Sequence, residues 1–390
     1  MKSWIYLLTT LWLLTACKAD TEPEPETTQP VVPQHVAVTF NPEAAATRGP
    51  VPAGSLGTDL SFRVWATKQV TTPTLGVEEA FINDNTSNVV VYDDLTHYWR
   101  TTGATYYWPD APGALYNVAF YALYPASAPT TSNIVSNKTI AFDATHPIDG
   151  NTDVLYTKHQ TSLSTVISSS SPAVPLRFHH ALTQLAFQGK LSTVFQNNGW
   201  IVTVGGIKVC NVNSTGTLDL TTDLIVNPTA TLWTTLSTPT DYPLTMVSDE
   251  GIVLTNTAQA LTSTSEISMV IPQVLTAWDP ATECIYVVDG VSTKTLTTGS
   301  YLAIDCKIFD TQTGSYMIGD ATSYETIYAP FLADPGNPTA TWEPGIRYTY
   351  TLSFGSGYSS QGKLIGDRVL NISVSITPWD EGPVAEGVAA

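Results

Sequence analysis

Charge is scarce in this chain: Asp, Glu, Lys and Arg make up 13% of its 390 residues. That scarcity excludes an acidic disordered protein, which stays solvated by carrying many charges. Bases are scarcer still, 16 Lys and Arg against 34 Asp and Glu, for a formal net charge of −18. Such a balance excludes nucleic acid as a partner, and with it electrostatic adhesion to anionic lipid. No apolar run reaches the roughly 20 residues that span a bilayer as a helix. Long segments with helical period and capping residues are missing. So are recognised catalytic spacings: the chain has no G-x-S-x-G, P-loop, G-x-G-x-x-G or H-E-x-x-H. A hydrolase would need clustered acids or a nucleophile beside a base, and nothing in the sequence places one.

What is present begins with the first residues. Met1-Lys2 is basic, 3–14 is short and apolar, and Leu14-Thr15-Ala16-Cys17 closes the stretch. A positive start, about a dozen apolar residues and small residues at the cut describe a secretory signal peptide over 1–16. The cysteine that follows resembles the bacterial lipoprotein cleavage box, which implies that Cys17 is lipidated and becomes the new N-terminus. Two or more acyl chains anchor a protein stably, at about 0.8 kcal/mol per buried methylene. Residues 17–35 read as a tether, because Thr21-Glu22-Pro23-Glu24-Pro25-Glu26 alternates acid and proline and so stays extended. Cys210, Cys284 and Cys306 remain, and three thiols cannot all pair. Buried free thiols are the favoured reading. One disulfide between neighbouring strands, Cys284 to Cys306, is the alternative.

Beyond residue 35 the pattern is β. Thr, Ser, Val and aromatics are plentiful, and apolar residues alternate with polar ones, as half-buried strands require. Strands are predicted at 35–40, 61–67, 88–92, 97–101, 116–123, 182–191, 201–209, 217–220, 266–271, 301–309, 348–354 and 369–376. Gly, Pro, Asn and Asp punctuate them, as at Pro109-Asp110-Ala111-Pro112-Gly113 and Asp334-Pro335-Gly336-Asn337-Pro338. Many short strands with turn signals predict an all-β protein of two β-sandwich domains. The Ser-rich stretch around 160–175 is the expected boundary, giving domains at 36–171 and 172–390.

Candidate chemistry is thin. His179-His180 are adjacent, so in a strand they face opposite ways and cannot easily share a metal; one packed and one exposed imidazole are expected. Asp93-Asp94, Asp143, Asp149 and Asp153 lack the spacing of a calcium loop and read as solvated turn carboxylates. Tyr106-Tyr107-Trp108 could form a sugar platform, but core packing is the weightier use of such aromatics. No catalytic residue, cofactor or metal is expected.

Several segments in order resemble a known family. Trp108-Pro109 precedes Val118-Ala119-Phe120-Tyr121-Ala122-Leu123-Tyr124-Pro125. Asp153-Val154-Leu155-Tyr156 precedes Leu176-Arg177-Phe178-His179-His180-Ala181-Leu182-Thr183-Gln184-Leu185. Trp342-Glu343-Pro344-Gly345-Ile346-Arg347-Tyr348 and Pro378-Trp379-Asp380 close the set. The set spans about 36–381 and resembles the fimbrillins, pilin subunits of Bacteroidetes. The resemblance implies two transthyretin-like β-sandwich domains in tandem and an outer-membrane lipoprotein precursor displayed at the cell surface. It also implies removal of an N-terminal strand by an arginine-specific protease, and filling of the opened groove by a strand of the next subunit. On this sequence the removable strand would be Val36, Val38 and Phe40 with their neighbours. Ala44-Ala45-Ala46-Thr47-Arg48-Gly49-Pro50 reads as an accessible loop where a protease could cut between Arg48 and Gly49. Val369 to Ile376 alternates cleanly, so Leu370, Ile372, Val374 and Ile376 share one face of a candidate donor strand, or of the last core strand. Expected partners are other fimbrial subunits through strand addition, lipid through Cys17 before processing, and a host or bacterial surface ligand. The alternative is a monomeric tethered lipoprotein that binds glycans or adheres.

Overall fold

β-branched and aromatic residues at alternate positions favour a pleated, half-buried backbone, and the regular structure of the computed structural model is accordingly strand with almost no helix. It describes residues 36–378 except 49–51, 84, 87, 110–113, 132, 164–172, 225–226, 228–229, 264–267, 284–296, 355–356, 359–363 and 366–370. Cys17, the tether, Gly49, Cys284 and Leu370 therefore lie outside the described residues.

The first strands are β1 (Phe40–Arg48), β2 (Pro52–Ser55), β3 (Ser61–Thr72), β4 (Glu79–Ile82), β5 (Val89–Asp93), β6 (Tyr98–Thr101), β7 (Leu115–Tyr124), β8 (Thr139–Phe142), β9 (Leu155–Leu163) and β10 (Val174–His180). Strands β10, β9, β7, β3, β5 and β6 pair in that order, and β1 closes the series by pairing with both β6 and β10. The first half is thus a barrel-like ring rather than the open sandwich expected. Closure removes the unpaired edges that an open sheet presents. The seam is uneven. β1 runs parallel to β10 over five positions, Phe40↔Val174 to Ala44↔Phe178, yet meets β6 at the single pair Phe40↔Trp99.

The expected boundary at 171/172 falls between β9 and β10, two strands of this ring that pair at His179↔Tyr156 and His180↔Leu155. The Ser-rich stretch joins strands of one sheet. Its polar composition marks a connection but carries no information on where the next strand docks.

The second half follows as β11 (Thr183–Leu191), a single turn α1 (Thr193–Asn197), β12 (Trp200–Asp219), β13 (Trp233–Pro243), β14 (Ile252–Val253), β15 (Gln259–Ala260), β16 (Ser268–Val270), β17 (Tyr301–Asp310), β18 (Ser315–Ile318), β19 (Glu325–Pro330), β20 (Ile346–Phe354), β21 (Gly357–Tyr358), β22 (Leu364–Ile365) and β23 (Asn371–Pro378). One sheet has the order β15-β11-β20-β23, the other β13-β12-β17-β19-β21-β22. β12 merges the strands expected at 201–209 and 217–220 into 20 residues, with register shifts at 204/206, 209/212 and 215/217. Such bulges bend a long strand and increase its twist. The far end of β12 also pairs with β8, Leu218 against Ile140. A strand from the first half of the chain thereby completes a sheet of the second.

Three buried clusters match this layout. Inside the ring, Phe40, Phe62, Val64, Phe120, Leu176 and Phe178 meet. On its outer side Trp65, Tyr121, Tyr156, Ile140, Leu218 and Trp233 form a second cluster. β3 feeds both, Phe62 and Val64 inward and Trp65 outward, because successive side chains alternate faces. The Trp233 indole crosses the junction and donates to the Ala181 carbonyl at 2.7 Å. The third cluster lies in the second half, where Phe187, Phe331, Trp342 and Tyr350 pack together. Each such side chain contributes roughly 1.5–3 kcal/mol when taken fully from water.

Candidate assembly site

The first described residues are held by backbone and by core at once. Trp108 N–H donates to Val36 O at 3.0 Å, Val38 N–H to Tyr106 O at 2.9 Å, and Val174 N–H to Thr39 O at 2.8 Å. Ala37 bridges Tyr107 antiparallel. Alternation turns Val38 and Phe40 into the ring, where both are buried, while Val36 is half-buried against the same cluster. The Phe40 ring meets Phe62 at 6.4 Å and Phe120 at 6.0 Å between centroids, edge to face in both cases. Such pairs add to the burial of the rings themselves.

Arg48 stands elsewhere than expected. Residues 44–48 are not a loop but the last part of β1, and Arg48 pairs with Pro52 of β2 in a short antiparallel hairpin. Alanine has little strand preference, so local sequence hides a pairing that the returning chain makes. The expected strand 35–40 is correspondingly an isolated bridge at Ala37 leading into β1.

At the other end, β23 is the edge of its sheet among the described residues. It pairs antiparallel with β20 from Ile346↔Pro378 to Ser353↔Asn371. The register sets Ile372 opposite Leu352, Val374 opposite Tyr350 and Ile376 opposite Tyr348, and those three β20 partners are buried. Ile376 itself is 51% exposed. It sits near the strand's last residues, where among the described residues neighbouring strands exist on one side only.

The remaining candidates resolve into structural roles. His180 is buried and Asp153, expected as a solvated turn acid, is buried beside it, 2.8 Å from Asp153 Oδ2 to His180 Nδ1. Pairing is what makes two such groups tolerable in a core. Sequence could not show it, because the pairing of β9 with β10 brings them together. Asp93 accepts from the Thr96 hydroxyl and the Leu95 N–H and pairs with Arg100, and these hold its carboxyl below the ordinary value. Asp143 and Asp149 cap their own turns. Trp108 is buried against Phe120, whereas Tyr107 is exposed. Cys210 and Cys306 are free and buried, and burial pushes both thiols up to about 12. Among the described residues no three His, Cys, Asp or Glu gather in a metal-binding group.

Fold and site define an all-β protein whose first and last described strands complete its sheets. The model of the fimbrillin-like family matches residues 51–379, and the chain belongs to that family. No curated protein sequence matches it. Among solved structures, a fimbrial protein from Bacteroides vulgatus is 13% identical, with 88% of this chain and 99% of that one covered at a TM-score of 0.45. The C-terminally truncated tip fimbrial protein Mfa3 from Porphyromonas gingivalis is 11% identical, with 89% and 100% covered at a TM-score of 0.41. Both scores fall under 0.5, so the family assignment rests on the sequence match.

Proposed function

We propose that this protein is a subunit of a cell-surface fimbria, exported as a lipoprotein through Cys17, cut after Arg48 and assembled by strand exchange. Its work is assembly, not catalysis. The observation that carries the reading is the placement of Val38 and Phe40, which fill the ring core from the first described segment of the chain. Cleavage after Arg48 would detach lipid, tether and this segment together. The slot left between Phe62, Phe120 and Phe178 would expose apolar surface and unpaired backbone, a template for strand addition. β23, an edge strand near the C-terminus, is the candidate donor.

The test expresses residues 18–390, treats them with an arginine-specific protease and runs unheated denaturing gels beside Arg48→Ala. A ladder of heat-sensitive oligomers from the parent alone is expected. A clean cut after Arg48 with only monomer would favour a tip subunit or the monomeric adhesive lipoprotein. No cut at all would refute processing at Arg48.

A further inference from the structure

β9 and β10 pair at two positions only, His179↔Tyr156 and His180↔Leu155. Past them β9 continues along β7 as far as Leu163, while residues 174–178 of β10 lie against β1. The ring wall therefore forks, and a cavity of about 340 Å³ occupies the fork. That is the lower end of the size range of small-ligand sites, roughly 300–1,000 Å³.

The lining is unlike the rest of the molecule. Lys158, His159, Arg177 and His179 are all among the residues that line this cavity. They are two of the 16 Lys and Arg and two of the six His in a chain of net charge −18. Burial pushes the His159 imidazole below its ordinary value, so at neutral pH it is an uncharged donor and acceptor. Lys158 and Arg177 then supply the positive charge. Arg177 is lightly engaged: Glu43 of β1 lies 3.7 Å away, with the arginine side chain largely exposed and the glutamate about half exposed. An ion pair of that exposure is weak, which leaves the guanidinium fork open to a planar or tetrahedral oxyanion. Thr222 brings a hydroxyl that both donates and accepts, Tyr156 adds a ring, and Asp223 places one carboxylate in the lining. That acid disfavours a polyanion but accepts from hydroxyl groups. A ligand with one anionic group on a hydroxylated body fits both features.

We propose that the fork between β9 and β10 binds an acidic saccharide, its carboxylate or sulfate ester held by Lys158 and Arg177 and its hydroxyls by Thr222 and Asp223. The site is separate from the strand-exchange reading and exists in the uncut chain.

Isothermal titration of the full chain in detergent tests this with sialyllactose, lactose sulfate, lactose, inorganic sulfate and an acidic hexapeptide. The two acidic sugars bind and lactose does not. Lys158→Gln and Arg177→Gln each weaken binding about tenfold, the scale of one charge-assisted hydrogen bond. Glu43→Gln, which frees Arg177, strengthens it. Lys190→Gln, outside the cavity, leaves it unchanged. Lys158 and Arg177 are exposed, so both variants keep the parent's melting temperature. The proposal falls if neither acidic sugar binds, or if the Lys158 and Arg177 variants bind like the parent. Equal weakening by Lys190→Gln would reduce the effect to overall charge. Equal affinity for inorganic sulfate would make the fork a free-anion site, and tighter binding of the hexapeptide a peptide site; either overturns the saccharide.

Discussion

Single side chains carry sharply different loads in this protein. Phe40 has almost no exposed surface and two edge-to-face partners. Phe40→Ala should therefore cost about 3–5 kcal/mol in denaturant unfolding, since the cavity adds to the lost transfer energy. Tyr350 illustrates the polar counterpart. Its buried hydroxyl accepts from the Trp342 indole at 2.8 Å and donates to Ala333 O at 2.7 Å. Tyr350→Phe keeps the ring and strands both partners, so a loss of about 1–3 kcal/mol is expected, with secondary structure unchanged by circular dichroism.

At the scale of elements, position in the sheet decides how much a residue matters. β20 is flanked by β11 in parallel and β23 antiparallel, whereas among the described residues β23 has a neighbour on one side only. Leu352 of β20 is fully buried and Ile376 of β23 is half exposed. Leu352→Ala should cost about 2–5 kcal/mol and Ile376→Ser under about 1 kcal/mol, because much of the isoleucine is already in water. Equal midpoint shifts in guanidinium would show that β23 is packed as deeply as β20.

For the whole molecule, buried acids that stay protonated set the alkaline limit. Burial pushes Cys210 and Cys306 from 9.0, and Tyr121 and Tyr348 from 10.0, up to about 12. The folded state then holds protons more tightly than the unfolded chain. The stability this contributes is complete below pH 9.0, the unfolded thiol value, and is lost as pH rises toward about 12. The urea midpoint should be flat on the neutral side of that window and fall steadily within it. A midpoint that holds through the window would show these groups ionising freely in the fold. Because the cluster around Trp65, Tyr121 and Trp233 joins the ring to the second half, both halves should respond together.

Much of this architecture was legible in residue order. Alternating Val, Thr and aromatic positions marked β3, β5, β6, β7, β17 and β20 to within a few residues, because strand formation depends on a period of two that is written locally. The segments around Trp108, Phe120, Phe178 and Trp342 pointed to the family that the match over 51–379 shows. What tertiary structure alone decided is pairing at a distance. No local signal says that β1 lies parallel to β10, that β8 crosses into the second half, or that Asp153 meets His180. Nor does any local pattern bring Lys158 and Arg177 to one cavity. Periodicity tells which side of a strand is apolar; which strand it meets depends on how the whole set of apolar faces is buried at once.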